Sequence, residues 1–147
     1  MGFSIEGKTA IVTGAANGIG LAIGRHFIDK GANVVFADMD EAKLADEVGE
    51  TKDDGPARYF AGDLRERLTI ANLLSATIDA FDTIDILVNG AAGNFLCLAE
   101  QLSPNGFGAV VDIDLKGTFH CSKAALPHLK KNGGVVLNIS ATLHYLG

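Results

Sequence analysis

Positive charge, sulfur and long apolar runs are what this chain has least of. Lys and Arg number 12 against 18 Asp and Glu, which gives a formal charge of −6 at neutral pH. The basic residues are scattered and no base-reading motif occurs, so no nucleic-acid partner is expected. Two cysteines, Cys97 and Cys121, are too few and too far apart for a disulfide framework or a zinc site. No His-Glu-x-x-His is present, so no metal is expected either. Such cysteine usage fits a reducing cytosol, and a cytoplasmic location is the expectation. The longest apolar stretches are strand-sized. Residues 1–8 contain Glu6 and lack an apolar core of signal-peptide length, and neither feature points to a membrane or to secretion. Ser140 has no Gly-x-Ser-x-Gly elbow around it, which argues against a hydrolase. His26, His120 and His128 fall in predicted helices with no acid or thiol at ligand or triad spacing, and read as surface or packing residues.

What is present is a glycine-bearing turn. Thr13-Gly14-Ala15-Ala16-Asn17-Gly18-Ile19-Gly20 lies between an apolar run from Thr9 to Val12, read as a buried strand, and a helix over Gly18 to Lys30. That helix places Ile19, Ile23 and Phe27 on one face. At a strand-to-helix corner, glycine allows a sharp turn and a close approach to a ligand. The free N–H groups and positive dipole end of the helix attract an anion such as a diphosphate. A second apolar run, Asn33 to Ala37, ends in Asp38. An acid at the tip of the second strand suits the ribose hydroxyls of a dinucleotide and disfavours a 2′-phosphate. Position 17 is Asn and no Arg closely follows Asp38, so NAD(H) is preferred over NADP(H). The competing reading makes Asp38 a helix N-cap ahead of Glu41.

A composition of 48% hydrophobic and 20% charged residues over 147 positions supports one core and a single domain, 1–147. Strands are predicted near Thr9–Thr13, Asn33–Ala37, Ala57–Ala61, Ile84–Val88 and Val135–Ser140. Helical crossovers between them give an α/β, Rossmann-type doubly wound parallel sheet ordered 3-2-1-4-5. The fifth strand is apolar on both faces, as in a strand covered by helices and flanked by another strand, yet in this chain it is expected to stand as an open edge that invites pairing. The segment around Glu50 to Pro56 reads as a loop. Ser103-Pro104 opens a long helix, Lys130-Lys131-Asn132-Gly133-Gly134 closes it, and Pro127 suggests a kink or an altered last turn.

Within that helix Phe107, Val110, Val111, Leu115, Thr118 and Phe119 recur at helical spacing with Asp114 among them, which puts its carboxylate on or beside an inward face. Uncompensated burial there would raise its pKa and suit a proton donor. The alternative is an acid on the helix flank paired with Lys116, Lys123 or solvent. Asp112 reads as a surface residue.

The spacing Gly14-x-x-x-Gly18-x-Gly20, with Asp63-Leu64 and Asn89-Gly90-Ala91, resembles the short-chain dehydrogenase/reductase family from about Lys8 onward. The resemblance implies that Gly14, Asn17, Gly18, Ile19, Gly20 and Asp38 hold the cofactor. It also implies that Asp63 and Leu64 lie near the adenine, and that Asn89, Gly90 and Ala91 support cofactor and sheet. Asn89-Gly90-Ala91-Ala92-Gly93-Asn94-Phe95-Leu96-Cys97, with Asp112-Ile113-Asp114 and Asn138 to Leu143, is similar to the 2,4-dienoyl-CoA reductases, particularly the peroxisomal type. Asp114 stands where most of the family has a catalytic Asn, and Ala141 where most has a catalytic Ser. The resemblance makes Asp114 the catalytic acid. Thr142, His144 or Asn94 would touch the substrate, a small molecule. No Tyr-x-x-x-Lys occurs, and the chain is expected to be the first part of an enzyme that assembles as a homo-oligomer when whole. Three function classes follow: a hydride-transferring oxidoreductase acting on a dienoyl thioester or an ordinary alcohol or ketone, a dinucleotide binder without turnover, and an assembly module using an open edge strand.

Overall fold

The structure is a computed structural model that describes residues 4–49 and 54–141. Five parallel strands form one sheet in the order β3-β2-β1-β4-β5. They are β1 (Thr9–Thr13), β2 (Asn33–Asp38), β3 (Ala57–Ala61), β4 (Ile86–Asn89) and β5 (Val135–Asn138). Helices α1 (Gly18–Asp29), α2 (Glu41–Val48) and α3 (Arg67–Phe81) make the first crossovers. A long helical stretch, built of α4 (Pro104–Val110), a wider π segment (Val111–Gly117) and α5 (Thr118–Asn132), makes the last. The expected fold class and strand order are therefore present.

Strand β1 is buried along its whole length because helices cover both faces of the sheet. Alternation along it divides the core. Ala10 and Val12 join Val34, Phe36 and Val88 on the side of α1 and α2. Ile11 joins Val35, Leu87, Leu73 and Leu129 on the side of α3 and α5. Gly24 is where α1 meets β2, since a β-carbon there would run into the Phe36 ring.

Several expectations are corrected. Strand β4 starts at Ile86, two residues later than expected, and Asp85 just before it bonds to both flanking strands through its backbone and ties β1 through its side chain. Its carboxylate accepts from the Thr9 N–H at 2.9 Å and the Thr83 hydroxyl at 3.0 Å. Among the described residues strand β5 stands at the edge of the sheet, as expected of this chain, and all four of its residues are exposed. The inward face expected on the long helix is also displaced. Phe107, Leu115 and Phe119 are exposed, and Cys121, Ala125 and Leu129 face the sheet instead. The π segment shifts the phase of the helix, so a single helical period cannot predict both halves. Pro127 lies inside α5, which runs on to Asn132. Ile19 is exposed at the start of α1, whereas Ile23 and Phe27 pack against the core. The residue that caps α2 is Asp40, whose carboxylate accepts from the Lys43 N–H at 3.0 Å, not Asp38. Ser103 caps α4 as expected, by accepting from the Gly106 N–H. Glu50, Thr142 and His144 lie outside the described residues.

Candidate functional site

Parallel strands end on one side of the sheet, and the glycine turn, Asp38, Asp63 and Asn89 all stand at those carboxyl ends, where a doubly wound sheet takes its ligands. A cleft runs across them, lined among others by Gly14, Asp38, Asp63, Asn89 and Ala91.

The turn after β1 is held from two sides. The Ala15 N–H donates to the Ala37 carbonyl at 3.2 Å, and the Ala16 N–H donates to Asp38 Oδ2 at 3.0 Å. On the other flank Thr13 Oγ1 accepts from the Gly90 and Ala91 N–H groups at 3.0 and 3.1 Å. It also donates to the Val88 carbonyl. These bonds draw the loop after β4 close against the turn.

The three glycines have different reasons. Gly14 has φ +66°, and a β-carbon on it would lie 2.5 Å from the Gly90 carbonyl oxygen. A β-carbon on Gly20 would strike the Gly14 carbonyl oxygen. Gly18, with φ +55°, would meet nothing within 4 Å, so the space in front of it is open at the N-terminus of α1. Open space there, beside unsatisfied helix N–H groups, fits an anionic group of the size of a diphosphate. Asn17 precedes α1 and is exposed, and its side chain makes no capping bond.

Asp38 Oδ2 accepts from Ala16, and Oδ1 accepts from the Asp40 N–H at 3.2 Å. The carboxylate is thereby oriented at the cleft with acceptor capacity left for hydroxyl donors. Asp63, one strand further out, is engaged by Arg65. The guanidinium hydrogen-bonded to it holds the Asp63 carboxyl below the usual carboxylate range, against an opposing push from partial burial. Leu64 beside it is buried.

Asn89 is buried at the end of β4 and donates from Nδ2 to Ser122 Oγ at 3.0 Å and to Asn138 Oδ1 at 2.8 Å. It thus ties β4 to α5 and β5 and braces the floor of the cleft. Ser122 was missed in the sequence, where a lone serine inside a helix carries no signal.

Asp114 departs from expectation. It is exposed, so the desolvation argument for a proton donor does not hold. Its Oδ1 accepts from the Gly93 N–H at 2.8 Å, which latches the loop after β4 onto the π segment. Lys116 pairs with Asp112 at 2.7 Å and Lys123 sits over the Phe119 ring, so of the alternative partners for a flank position only solvent is left to Asp114 besides Gly93. Asn94 is exposed on that loop, and so is Cys97. Burial pushes the Cys121 thiol up to about 11. Among the described residues no cluster of potential metal ligands occurs, and no helix is long and apolar enough to cross a membrane.

The short chain dehydrogenase family pattern matches residues 8–144. A peroxisomal 2,4-dienoyl-CoA reductase from Arabidopsis thaliana is 42% identical over 151 aligned positions, covering 96% of this chain and 51% of the relative. An L-fucose dehydrogenase from Mus musculus is 38% identical, covering 97% of this chain and 51% of the relative. A 3-ketoacyl-(acyl-carrier-protein) reductase from Brucella melitensis, solved with NADH, superposes with a TM-score of 0.87 at 32% identity, covering 95% of this chain and 59% of that one. The chain spans about half the length of these curated relatives. With the sheet order, the glycine turn and the cleft in agreement, the chain belongs to the short chain dehydrogenase family.

Proposed function

We propose that this chain binds NAD(H) in the cleft above the sheet and serves hydride transfer to or from an enoyl or dienoyl thioester or a small carbonyl or alcohol. The observation that carries the reading is the pairing of an open, left-handed Gly18 at the helix N-terminus with an Asp38 carboxylate pinned to the same turn. Gly14, Gly18, Ile19 and Gly20 would present backbone to the diphosphate, with Asn17 beside them, and Asp38 would accept from the adenosine ribose hydroxyls. A 2′-phosphate would meet the negative charge of Asp38, which supports NAD(H) over NADP(H). Asp63 and Leu64 would border the adenine. Asn89, Gly90 and Ala91 would form the floor under the nicotinamide side.

The bound cofactor supplies the hydride chemistry, and the protein supplies position and electrostatics. The described residues on the substrate side are the 90–98 loop and the π segment that Asp114 latches together. One Asp114 oxygen is committed to Gly93, so its first role would be to shape that wall, with proton delivery resting on the other oxygen. The resemblance to dienoyl-CoA reductases supports a thioester substrate, and the similarity to sugar and ketoacyl enzymes keeps a carbonyl or alcohol beside it. Apolar side chains exposed along the long helix, Phe107, Leu115 and Phe119, support assembly into a homo-oligomer. Two unpaired cysteines fit a reducing compartment such as the cytosol.

The test is stopped-flow and steady-state oxidation of NADH and of NADPH with a dienoyl-CoA and, separately, a simple ketone. Turnover with NADH supports the proposal. Dinucleotide binding with no turnover on any of these substrates would replace it with the binder reading.

A further inference from the structure

Asparagine followed by glycine occurs four times, at 17–18, 89–90, 105–106 and 132–133. Such a pair can react with itself, because glycine does not screen its own amide nitrogen and bends freely, so that nitrogen can reach the asparagine side-chain carbonyl. In the folded chain three of the four pairs are restrained. The Gly90 N–H donates to Thr13 Oγ1, and the buried Asn89 amide is bonded to Ser122 and Asn138. The Gly106 N–H donates to Ser103 Oγ at 3.0 Å. The Gly133 N–H donates to the Leu129 carbonyl, and Asn132 Nδ2 reaches the Ile84 carbonyl. The pair at 17–18 is different. Asn17 is exposed and extended, its side chain caps nothing, and among the described residues the Gly18 N–H has no acceptor. A β-carbon on Gly18 would meet nothing within 4 Å, which leaves room for a ring there. The tie on this pair is the Asn17 carbonyl, which accepts from the Leu21 N–H at 3.2 Å in the first turn of α1, and terminal turns open readily.

We propose that Asn17 is a site of spontaneous covalent modification, deamidating through Gly18, and that the change closes the turn to the cofactor diphosphate. The Gly18 amide nitrogen gives up its proton and bonds to Asn17 Cγ, while the side-chain nitrogen takes a proton and leaves as ammonia. Water then adds to either carbonyl of the cyclic imide and breaks its C–N bond, giving aspartate at 17 or an isoaspartyl link. Aspartate sets a carboxylate at the helix N-terminus, where it competes with the diphosphate for the same N–H groups. The isoaspartyl link adds a methylene to the backbone and displaces Gly18. The loss of binding rests on the reading of the cleft as a dinucleotide site; the covalent step does not.

The test holds the folded chain at mildly alkaline pH and follows each pair by peptide mass spectrometry, while NADH titration of the same aliquots gives the fraction that binds. Asn17 is expected to convert at least about tenfold faster than Asn132, whose glycine N–H must first break its bond. NADH-binding capacity should fall in step with Asn17. NADH at about ten times its dissociation constant leaves about a tenth of the chains free and should slow conversion at Asn17 about tenfold, with Asn132 unchanged. N17S, which cannot form the imide, should keep its own starting affinity throughout. Conversion of Asn17 no faster than that of Asn132 overturns the modification site. Fast conversion at 17 with binding capacity intact overturns the consequence for the cofactor. No NADH binding by the fresh chain overturns the cofactor reading and that consequence together, and the peptide masses then decide the covalent step alone.

Discussion

Glycines at positions 14 and 18 share a left-handed backbone yet have opposite surroundings, so alanine at each should separate folding from binding. In G14A the new β-carbon would lie 2.5 Å from the Gly90 oxygen, 2.6 Å from the Gly90 carbonyl carbon and 2.7 Å from the Ala91 nitrogen. All three are backbone atoms that Thr13 holds in place. The left-handed conformation costs about 1–2 kcal/mol for a residue with a β-carbon. Overpacking adds about 1–3 kcal/mol, for a total of about 2–5 kcal/mol. In G18A nothing lies within 4 Å, so only the backbone term remains. Reduced freedom of the unfolded chain offsets part of it, leaving about 1 kcal/mol. The Gly18 methyl would, however, occupy the space assigned to the diphosphate, and NADH affinity should fall at least about tenfold, or about 1.4 kcal/mol. G133A is the control. Gly133 also has a positive φ of 68° and open surroundings, but it caps α5 at the far end of the sheet from the cleft. Urea unfolding and NADH titration of the three variants give the result. If G18A unfolded as easily as G14A, or bound NADH as well as G133A does, the assignment of Gly18 to the ligand would be wrong.

Replacing Asn89 by Leu removes the bonds to the half-buried Ser122 and the exposed Asn138 and should cost about 1–3 kcal/mol in urea unfolding, as two net hydrogen bonds are lost; a loss under about 0.5 kcal/mol would mean the brace is unimportant. D38N should weaken NADH about tenfold and narrow the preference for NADH over NADPH, because the negative charge that repels a 2′-phosphate is gone; titration with both cofactors checks this, and an unchanged ratio counts against the ribose assignment. Asp63 titrates below its ordinary value of 3.8 because Arg65 is bonded to it. A depressed carboxyl contributes stability that is present above the unfolded value and is lost as pH falls through the folded one. R65A should therefore lose that small contribution at neutral pH, flatten the acid limb below about pH 4, and converge with the unaltered chain at the acid end; an equally steep acid limb in R65A would remove Arg65 as the cause.

The parts of this molecule that were legible in its sequence are those where one residue type answers one local demand. Glycine at 14, 18 and 20 in a strand-to-helix turn, Ser103-Pro104 at a helix start and Gly133 at a helix end each follow from backbone requirements. The sheet order followed from apolar strands alternating with helices. Features that depend on phase or on distant partners were not legible. The π segment turns Phe107, Leu115 and Phe119 outward, which no single period could show. Asp114 shared an apolar stripe in sequence but is exposed and bonded to Gly93, which lies 21 residues away. The ties that Ser122 and Asn138 accept from Asn89 join three separate elements, and the Arg65 fork on Asp63 is a matter of rotamer rather than of spacing.

The central claim is that the cleft holds a nicotinamide dinucleotide with its ribose on Asp38. Calorimetric titration of the chain with NADH, repeated with NADPH, tests it most directly. Saturable one-to-one binding of NADH, tighter than that of NADPH, is the predicted result. No heat of binding with NADH, in protein whose cooperative unfolding shows it to be folded, would contradict it.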